Sequence, residues 1–456
     1  MARRARARSP RPTGPGPSSP VSPGLCAWHD AGQCRSCPHL PTPLDLQLAA
    51  KQEKVAALLA AGPSPVPRSA WAPPASSAPT GFRNKAKMVV AGTTGRPTLG
   101  ILDATGRGVD LRSCPLHARE LQAALPVLAS LIGSLGLIPY DVPARRGELK
   151  HLLVTASPDG DLMVRFVLRS RRHLRTLREA LPQLHQRLPQ LAVASVNIQP
   201  VHQAVIEGEE EIVLTASDRL LMRLHLPGRH PAPSGPPPGP ARSAPALSVT
   251  TPMKAGPEHG AGRPVQLVNG ELLLHLPTRS FFQTNTAVAQ ALYATARAWA
   301  QEGVGAEGSP ARAPRRVWDL FCGVGGFALS LAAPGRTILG VEVSTSAIDG
   351  ARQSVTLMGL DPDLVRFEAG NARLLDPGAA DPPDLLVVNP PRRGIGAELA
   401  GRIEASGIRR VLYSSCNPVS LAQDLARMPS LRARRARLFD MFPHTDHAEV
   451  LVELVR

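Results

Sequence analysis

The sequence lacks any apolar run close to the ~18 residues of a membrane helix, and only six of its 456 residues are cysteines. The first absence argues against a membrane-spanning helix, and the second argues against a small scaffold held by disulfides. Residues 1–24 contain no acidic residue and no apolar segment typical of a secretory signal. We therefore expect a soluble, cytoplasmic and monomeric protein without a membrane partner.

Basic residues, in contrast, are abundant. The net charge is +16, and the five arginines of residues 1–24 leave +11 for the remaining chain. A basic body favours nucleic acid as the partner over a small neutral substrate. Biased codon usage that enriches arginine would produce the same charge, so the composition alone leaves this alternative open.

Composition and patterning divide the chain into four parts: an Arg/Pro-rich disordered tail (1–24), a cysteine-bearing segment with the first strands (25–116), a central α+β domain (117–277) and a C-terminal α/β domain (278–456). A helix is predicted over 44–61, where apolar residues recur at helical spacing. The central domain contains an insertion over 227–264 with eleven prolines, which can contribute little core.

The C-terminal part alternates short apolar strands with helices and ends in two further strands. This pattern predicts a Rossmann-like fold, in which a seven-stranded mixed sheet is covered by helices on both faces. Ligands of such folds bind beyond the carboxyl ends of the parallel strands.

Polar motifs follow several of these strands. DLFCGVGGF (319–327) is a glycine-rich turn that opens a helix, and Glu342 ends the next strand, where it could bind ribose hydroxyls. Nicotinamide and adenosylmethionine sites both use this layout. NPPRRG begins at Asn389 and directly follows the strand DLLVV. Methylases of exocyclic amines carry an aromatic residue at the position of Arg392, so the arginine disfavours amine methylation.

A cysteine, Cys416, follows the strand RRVLYSS, and Glu449 begins the last strand. A thiolate that adds to C6 of uracil makes C5 nucleophilic enough to attack a methyl sulfonium, and a carboxylate can then remove the C5 proton. Cys416 is therefore the candidate nucleophile and Glu449 the candidate base. Cys322, inside the glycine-rich turn, is predicted to pack in the core. His444 and His447 have no third ligand at a suitable spacing for a metal.

The other four cysteines, Cys26, Cys34, Cys37 and Cys114, form a three-thiol cluster with one distal partner. This set fits zinc or an iron–sulfur cluster, and the spacing favours the latter because it is not the paired CxxC of zinc ribbons. Arg83, Lys85 and Lys87 alternate and so share one face of a strand, where they could bind phosphates.

Six segments together resemble one family: FRNKAKMVV, SFFQTNTAVAQALY, WDLFCGVGGF, NPPRRGIG, YSSCNP and LFDMFPHTDHAEVL. They are similar to the RNA uracil-C5 methyltransferases, in particular the bacterial branch that acts on large-subunit (23S) ribosomal RNA. The resemblance covers residues 25–226 and 265–456. The tail, the Pro-rich insertion and the lack of an N-terminal nucleic-acid-binding barrel depart from the pattern.

The resemblance implies an S-adenosyl-L-methionine-dependent enzyme with an RNA substrate, an RNA-binding central domain (117–277) and a [4Fe-4S] cluster in the N-terminal segment. Residues implied to contact the methyl donor are Gln283, Phe321, Glu342 and Asn389. Cys416 would be the nucleophile and Glu449 the proton acceptor. The implied cluster ligands are Cys26, Cys34, Cys37 and Cys114.

Three alternatives to methylation of 23S ribosomal RNA stay open. The first is the same reaction on transfer RNA. The second is a non-catalytic, cluster-bearing RNA-binding protein, which the presence of both Cys416 and Glu449 disfavours. The third is a nicotinamide oxidoreductase, which leaves the NPPR motif and Cys416 unexplained.

Overall fold

The computed structural model describes residues 24–226, 270–303, 312–375 and 382–456. The predicted tail, apart from Gly24, and the whole of the predicted insertion over 227–264 lie outside the described residues. Among the helices that are described, none is both long and apolar enough to cross a lipid bilayer.

The N-terminal segment contains two helices, α1 (Ala27–Asp30) and α2 (Leu44–Ala60). Val55 and Leu59 lie on one face of α2, one turn apart, and are buried in a core formed mostly by C-terminal residues. The N-terminal segment therefore packs against the far end of the chain.

The central part forms an α+β layer with a seven-stranded sheet. Its elements are β1 (Lys85–Thr93), β2 (Arg96–Leu102), β3 (Gly108–Asp110), α3 (Arg119–Ser134), β4 (Leu149–Ala156), β5 (Leu162–Leu168), α4 (Leu174–Glu179), α5 (Leu181–Arg187), β6 (Leu191–Ile198) and β7 (Glu210–Val213). The strand order is β3-β2-β1-β4-β5-β6-β7, and only the β5–β6 pair is parallel. Strands β1–β3, assigned from sequence to the cysteine-bearing segment, thus belong to the same sheet as β4–β7.

Side-chain alternation gives this sheet two different faces. On β1, Ala86, Met88 and Val90 join the apolar core that includes α3, as expected for one face of a strand. The alternate residues, Lys85 and Lys87, lie on the opposite face, where Lys87 is exposed. The central sheet is therefore apolar towards its helices and basic along part of its other face.

Two further strands, β8 (Arg219–His225) and β9 (Glu271–Pro277), form an antiparallel pair. Alternate leucines of both strands, such as Leu220 and Leu274, are buried in the same core as the C-terminal domain. This pair, which the sequence assigns to the central domain, packs mainly against the C-terminal elements.

The C-terminal domain has the predicted seven-stranded mixed sheet. Its elements are α6 (Thr286–Gln301), β10 (Arg316–Leu320), α7 (Gly326–Ser330), β11 (Thr337–Glu342), α8 (Thr345–Leu357), β12 (Val365–Ala369), β13 (Leu385–Val388), α9 (Gly396–Ala405), β14 (Arg410–Ser415), α10 (Pro418–Leu425), β15 (Arg432–Phe439) and β16 (Glu449–Val455). The strand order is β12-β11-β10-β13-β14-β16-β15, with β12 to β14 parallel and β16 antiparallel to both of its neighbours.

This topology brings distant sequence motifs to one edge of the sheet. The parallel strands β10 to β14 are covered on both faces, since alternate residues of β13 are buried in two different apolar cores. Their carboxyl ends lie at the same edge, and β16 runs the other way, so it begins there at Glu449. The glycine-rich turn, Asn389, Cys416 and Glu449 consequently all lie at this edge.

Candidate active site

The glycine-rich turn after β10 has a backbone that ordinary residues seldom adopt. Phe321, Gly323 and Gly325 all have positive φ angles, of 63°, 54° and 86°, in the left-handed region that favours glycine. Gly326 packs against Tyr293 so closely that a Cβ atom would lie 2.4 Å from the Tyr293 hydroxyl oxygen. A Cβ atom at Gly323 would meet no other heavy atom within 4 Å, so the backbone of the turn is open to close approach by a ligand at that residue.

Glu342 lies beside this turn at the end of the neighbouring strand. Its carboxylate accepts hydrogen bonds from the Gly323 N–H at 3.3 Å and from the Ser344 N–H at 3.1 Å. The β10–β11 register, in which Leu320 pairs with Val341, brings Phe321 and Glu342 to adjacent positions. The acid predicted from the sequence is therefore placed at the glycine-rich turn.

Asn389 and Gln283 have different relationships to the same turn. The Asn389 N–H donates a hydrogen bond to the Leu320 carbonyl at 3.3 Å, which places Asn389 next to the first residue of the turn. Gln283 is buried in the loop before α6, and its carbonyl accepts a hydrogen bond from the Asn84 side chain at 3.1 Å. No hydrogen bond between described residues joins the Gln283 side chain to the turn.

Cys416 and Glu449 lie beside each other at the ends of adjacent antiparallel strands. Ser415, the last residue of β14, pairs with Val450 of the antiparallel strand β16. Cys416 follows Ser415 and therefore lies opposite Glu449, the first residue of β16. Glu449 is buried, and burial raises the pKa of its carboxyl to about 7, while a hydrogen bond donated by the Ser414 hydroxyl opposes the increase. A carboxyl with a pKa near neutrality is suited to proton transfer.

The half-buried Cys416 thiol is influenced by charges of both signs. Burial raises the pKa of Cys416 above its ordinary value, the negative charge of Glu449 raises it further, and the positive charge of Arg392 lowers it. The Asn417 side chain donates a hydrogen bond to the Arg392 carbonyl at 2.8 Å. This bond ties the NPPRR loop to the turn that carries the thiol, and it places an exposed guanidinium where it favours the thiolate.

Two residues at this site were missed from the sequence. Ser414 precedes Cys416 by two residues on one strand, so alternation along the strand could have indicated that both face the same side. Asp319, at the end of β10, is fully buried; burial raises the pKa of its carboxyl to about 7, and the Ala328 N–H donates to it at 2.8 Å. Its second oxygen has no hydrogen-bond partner among the described residues.

His444 serves as an anchor in the structure. Its Nε2 lies 2.8 Å from the Pro79 carbonyl oxygen, and its Nδ1 lies 3.1 Å from the Gln47 side chain on α2. Lys51, one turn further along α2, forms a buried 2.6 Å ion pair with Asp440. These contacts fix the loop that leads into Glu449.

The four remaining cysteines line one cavity in the N-terminal segment, together with Arg83 and His117. Burial raises the pKa of the Cys37 thiol to about 11, and the negative charges of Cys114, Cys34 and Cys26 raise it further. The four thiols therefore influence one another across a shared space. In the described parts of the chain, however, no group of three or more His, Cys, Asp or Glu side chains has the arrangement of a site for a metal ion.

Comparisons with known proteins show which family the sequence resembles. Residues 383–456 match the family model described as tRNA (uracil-5-)-methyltransferase. A protein of Halothiobacillus neapolitanus named 23S rRNA (uracil(747)-C(5))-methyltransferase RlmC is 44% identical over 438 residues, which cover 94% of this chain and 99% of that protein. The protein of the same name from Escherichia coli K12 is 40% identical over 432 residues, with 94% and 99% covered.

A solved structure shows the same fold. It is the tRNA (uracil-54, C5)-methyltransferase of Pyrococcus abyssi in complex with S-adenosyl-L-homocysteine. The match has a TM-score of 0.66 and 21% sequence identity, and it covers 92% of this chain and 85% of that one. The mixed α/β architecture is therefore that of a methyltransferase.

Proposed function

Because the chain belongs to the RlmC family of 23S rRNA (uracil-C5)-methyltransferases, we propose that it methylates C5 of a uridine in 23S ribosomal RNA with S-adenosyl-L-methionine as the methyl donor. The relatives are named for uracil 747, and the equivalent uridine is the proposed target here. The observation that carries the proposal is the juxtaposition of the Cys416 thiol with the buried Glu449 carboxyl.

The fit of the donor site rests on the glycine-rich turn and its neighbours. The backbone at Gly323 is open to a ligand, because a Cβ atom there would meet no other heavy atom within 4 Å, and the Glu342 carboxylate at the next strand end can accept hydrogen bonds from ribose hydroxyls. Phe321 and Asn389 would flank the donor, and Gln283 is proposed to approach from the loop before α6. The donor supplies an electrophilic methyl group on a sulfonium.

Cys416 and Glu449 have complementary roles in the proposed reaction. The Cys416 thiolate adds to C6 of uracil and forms a C6–S bond, which moves electron density through C5 to the O4 oxygen. C5 then forms a bond to the methyl group, and the donor leaves as S-adenosyl-L-homocysteine. Glu449 takes the C5 proton, the C5–C6 double bond reforms, and the C6–S bond breaks to regenerate the thiolate.

The substrate must present one base outside any stack, because a stacked uracil hides C6 from a nucleophile. Arg392 lies at the thiol, where its positive charge supports the thiolate. The basic strand face around Lys87 and the net charge of the chain favour attraction of the RNA backbone.

The four-thiol cavity is proposed to hold a [4Fe-4S] cluster through Cys26, Cys34, Cys37 and Cys114. The proposal is supported by the shared cavity that all four thiols line, because four cysteine thiolates are the usual ligands of such a cluster. The cluster would connect the loop around α1 to the loop after β3, and no step of methyl transfer depends on it.

The proposal is tested by mapping 5-methyluridine in 23S and transfer RNA from cells that lack the gene, after complementation with wild type, Cys416→Ala or Gln423→Ala. We expect one 23S uridine to be methylated by the wild type and by Gln423→Ala, a control at an exposed position on α10, and to stay unmethylated with Cys416→Ala. Modification of transfer RNA only would support the alternative substrate. RNA binding without modification of either RNA would overturn the enzymatic assignment.

A further inference from the structure

A second cavity lies in the central domain, on the basic side of its sheet and apart from the glycine-rich turn. It has a volume of about 340 Å³, at the small end of the ~300–1,000 Å³ that ligand pockets typically occupy. Apolar walls come from β1, β2 and the loops after α3 and β6. We propose that this cavity, here called the β4 cavity, binds a nucleobase of the RNA substrate other than the target uracil.

The polar groups of the β4 cavity suit the edge of an uncharged base. His151, on β4, has a buried Nδ1 atom that has no hydrogen-bond partner among the described residues. Burial, with the nearby positive charge of Lys150, lowers the pKa of His151 to about 4, so its ring is neutral at pH 7. A neutral imidazole offers one donor and one acceptor, as base edges require. An unpaired buried nitrogen is costly, and a ligand that pairs with it removes that cost.

Lys150 argues against a phosphate in the same place. Its ammonium donates hydrogen bonds to the Val201 carbonyl at 2.6 Å and to the Gln199 side chain at 3.2 Å, and it lies 4.9 Å from the centre of the Tyr140 ring. The His202 Nδ1 is likewise engaged, at 2.9 Å from the Tyr140 hydroxyl. The cation in the wall is thus already compensated, whereas an aromatic base requires only apolar walls and a few hydrogen bonds.

The position of the β4 cavity connects it to the methyltransferase domain. Strand β1 begins next to Asn84, whose side chain donates to the Gln283 carbonyl and to the Thr286 hydroxyl at 2.8 Å. Val89, further along the same chain, lines the cavity, and at about 3.4 Å per residue the two residues are ~17 Å apart. The exposed Lys87 lies between them and is placed to contact a phosphate. A single RNA strand that follows β1 could therefore keep one base in the cavity while another occupies the active site.

The inference rests on the proposed RNA substrate, and its test uses variants that should fold. His151→Phe keeps a ring but removes the unpaired nitrogen, and Ala204→Trp fills the cavity from an exposed loop. Ala144→Trp, at an exposed position outside the cavity, is the matched control. The probe is a 23S RNA fragment that carries one abasic nucleotide at a time at positions flanking the target uridine.

With wild-type protein, we expect one flanking abasic position to lower kcat/KM by about 5- to 150-fold, which corresponds to the ~1–3 kcal/mol that stacking of one base on an aromatic side chain contributes. His151→Phe and Ala204→Trp should lower kcat/KM on intact RNA by a similar factor. In these two variants the abasic nucleotide should cause no further loss of kcat/KM, while Ala144→Trp behaves as wild type. The proposal would be overturned if the loss of kcat/KM in the cavity variants simply added to the loss caused by an abasic nucleotide at every RNA position. It would also be overturned if both cavity variants had the kcat/KM of wild type.

A binding measurement without methyl donor separates this inference from the enzymatic proposal. The β4 cavity is supported and the enzymatic proposal fails if no RNA is methylated, but the same abasic position weakens RNA binding by wild type and not by His151→Phe. If methylation proceeds and no flanking base couples to His151 or Ala204, the cavity proposal fails alone.

Discussion

The Ser414 hydroxyl donates a hydrogen bond to the Oε1 atom of Glu449 across the antiparallel strands β14 and β16. The bond favours the charged carboxylate and so lowers a pKa that burial raises to about 7. Since Ser414 and Cys416 lie two residues apart, the same strand that carries the thiol also tunes the base beside it.

Replacement of this serine should shift the pH dependence of catalysis. In Ser414→Ala the Glu449 carboxyl loses its donor, its pKa rises, and a smaller fraction is available as a base at neutral pH. In the profile of single-turnover rate against pH, we expect the Glu449 ionisation, near pH 7 in wild type and distinct from that of the Cys416 thiol at higher pH, to move to higher pH, with most of the rate recovered in alkaline buffer. Ser354→Ala, which removes a buried hydrogen-bonded hydroxyl on α8, is the control. An unchanged profile would exclude Glu449 as the titrating base.

Glu449→Gln should trap the reaction after methyl transfer. The amide cannot take the C5 proton, so the C6–S bond to Cys416 cannot be released by elimination. We expect a protein–RNA adduct that survives denaturing electrophoresis to accumulate and turnover to fall by about two orders of magnitude or more, the usual contribution of a positioned base. Glu368→Gln, at an exposed position on β12, should show neither effect. Normal turnover without adduct would remove Glu449 from this role.

The same substitution should change how stability depends on pH. Glu449 has an ordinary pKa of 4.5, and burial raises its pKa to about 7 in the folded protein. Between these values the unfolded chain has lost the proton that the folded protein keeps, so wild type loses stability as pH rises through this window. From about pH 4 to about pH 8, the free energy of unfolding of wild type should fall by roughly 3 kcal/mol more than that of Glu449→Gln. Parallel urea-unfolding titrations of the two proteins check this; identical pH dependence would contradict it.

Arg392 should control the reactivity of the free Cys416 thiol. Its positive charge lowers a pKa that burial and Glu449 raise, so Arg392→Ala should reduce the thiolate fraction near neutral pH. We expect alkylation of Cys416 by iodoacetamide, measured as the difference from Cys416→Ala, to slow several-fold at pH 8 and to recover at higher pH. The exposed neighbour Arg393 provides the control in Arg393→Ala. Equal alkylation rates in both variants would show that Arg392 does not support the thiolate.

Local patterns were sufficient to predict much of this arrangement. Short apolar strands that alternate with helices predicted the seven-stranded mixed sheet, and the motifs at strand ends predicted that Cys416 and Glu449 would meet. Tertiary pairing was not accessible in the same way. The sequence argues against a metal at His444 but does not predict its contacts, which are Gln47 and the Pro79 carbonyl, hundreds of residues earlier in the chain.

The membership of sheets and cores was similarly hard to predict. Strands β1–β3 complete the central sheet because β1 pairs with β4 across the whole of α3, a pairing between segments far apart in sequence. The β8–β9 pair shares its apolar core with the C-terminal domain, because β9 packs against α8 and α7, while β8 also contacts β5 and β6 of the central sheet. Alternation identifies such strands but does not identify the partner that covers them.

The four N-terminal thiols should bind iron and sulfide when the protein is purified without oxygen. One cavity is lined by Cys26, Cys34, Cys37 and Cys114, and the negative charges of the other three thiols raise the pKa of Cys37. Loss of one thiolate should therefore weaken the whole site. We expect brown wild-type protein with about four iron and four sulfide per chain, and colourless protein with less than half that iron for Cys37→Ala. Cys322→Ala, which removes a buried thiol from the glycine-rich turn, should keep the full complement. Colourless wild-type protein that contains zinc would contradict the cluster, because zinc and iron–sulfur clusters compete for the same thiolates.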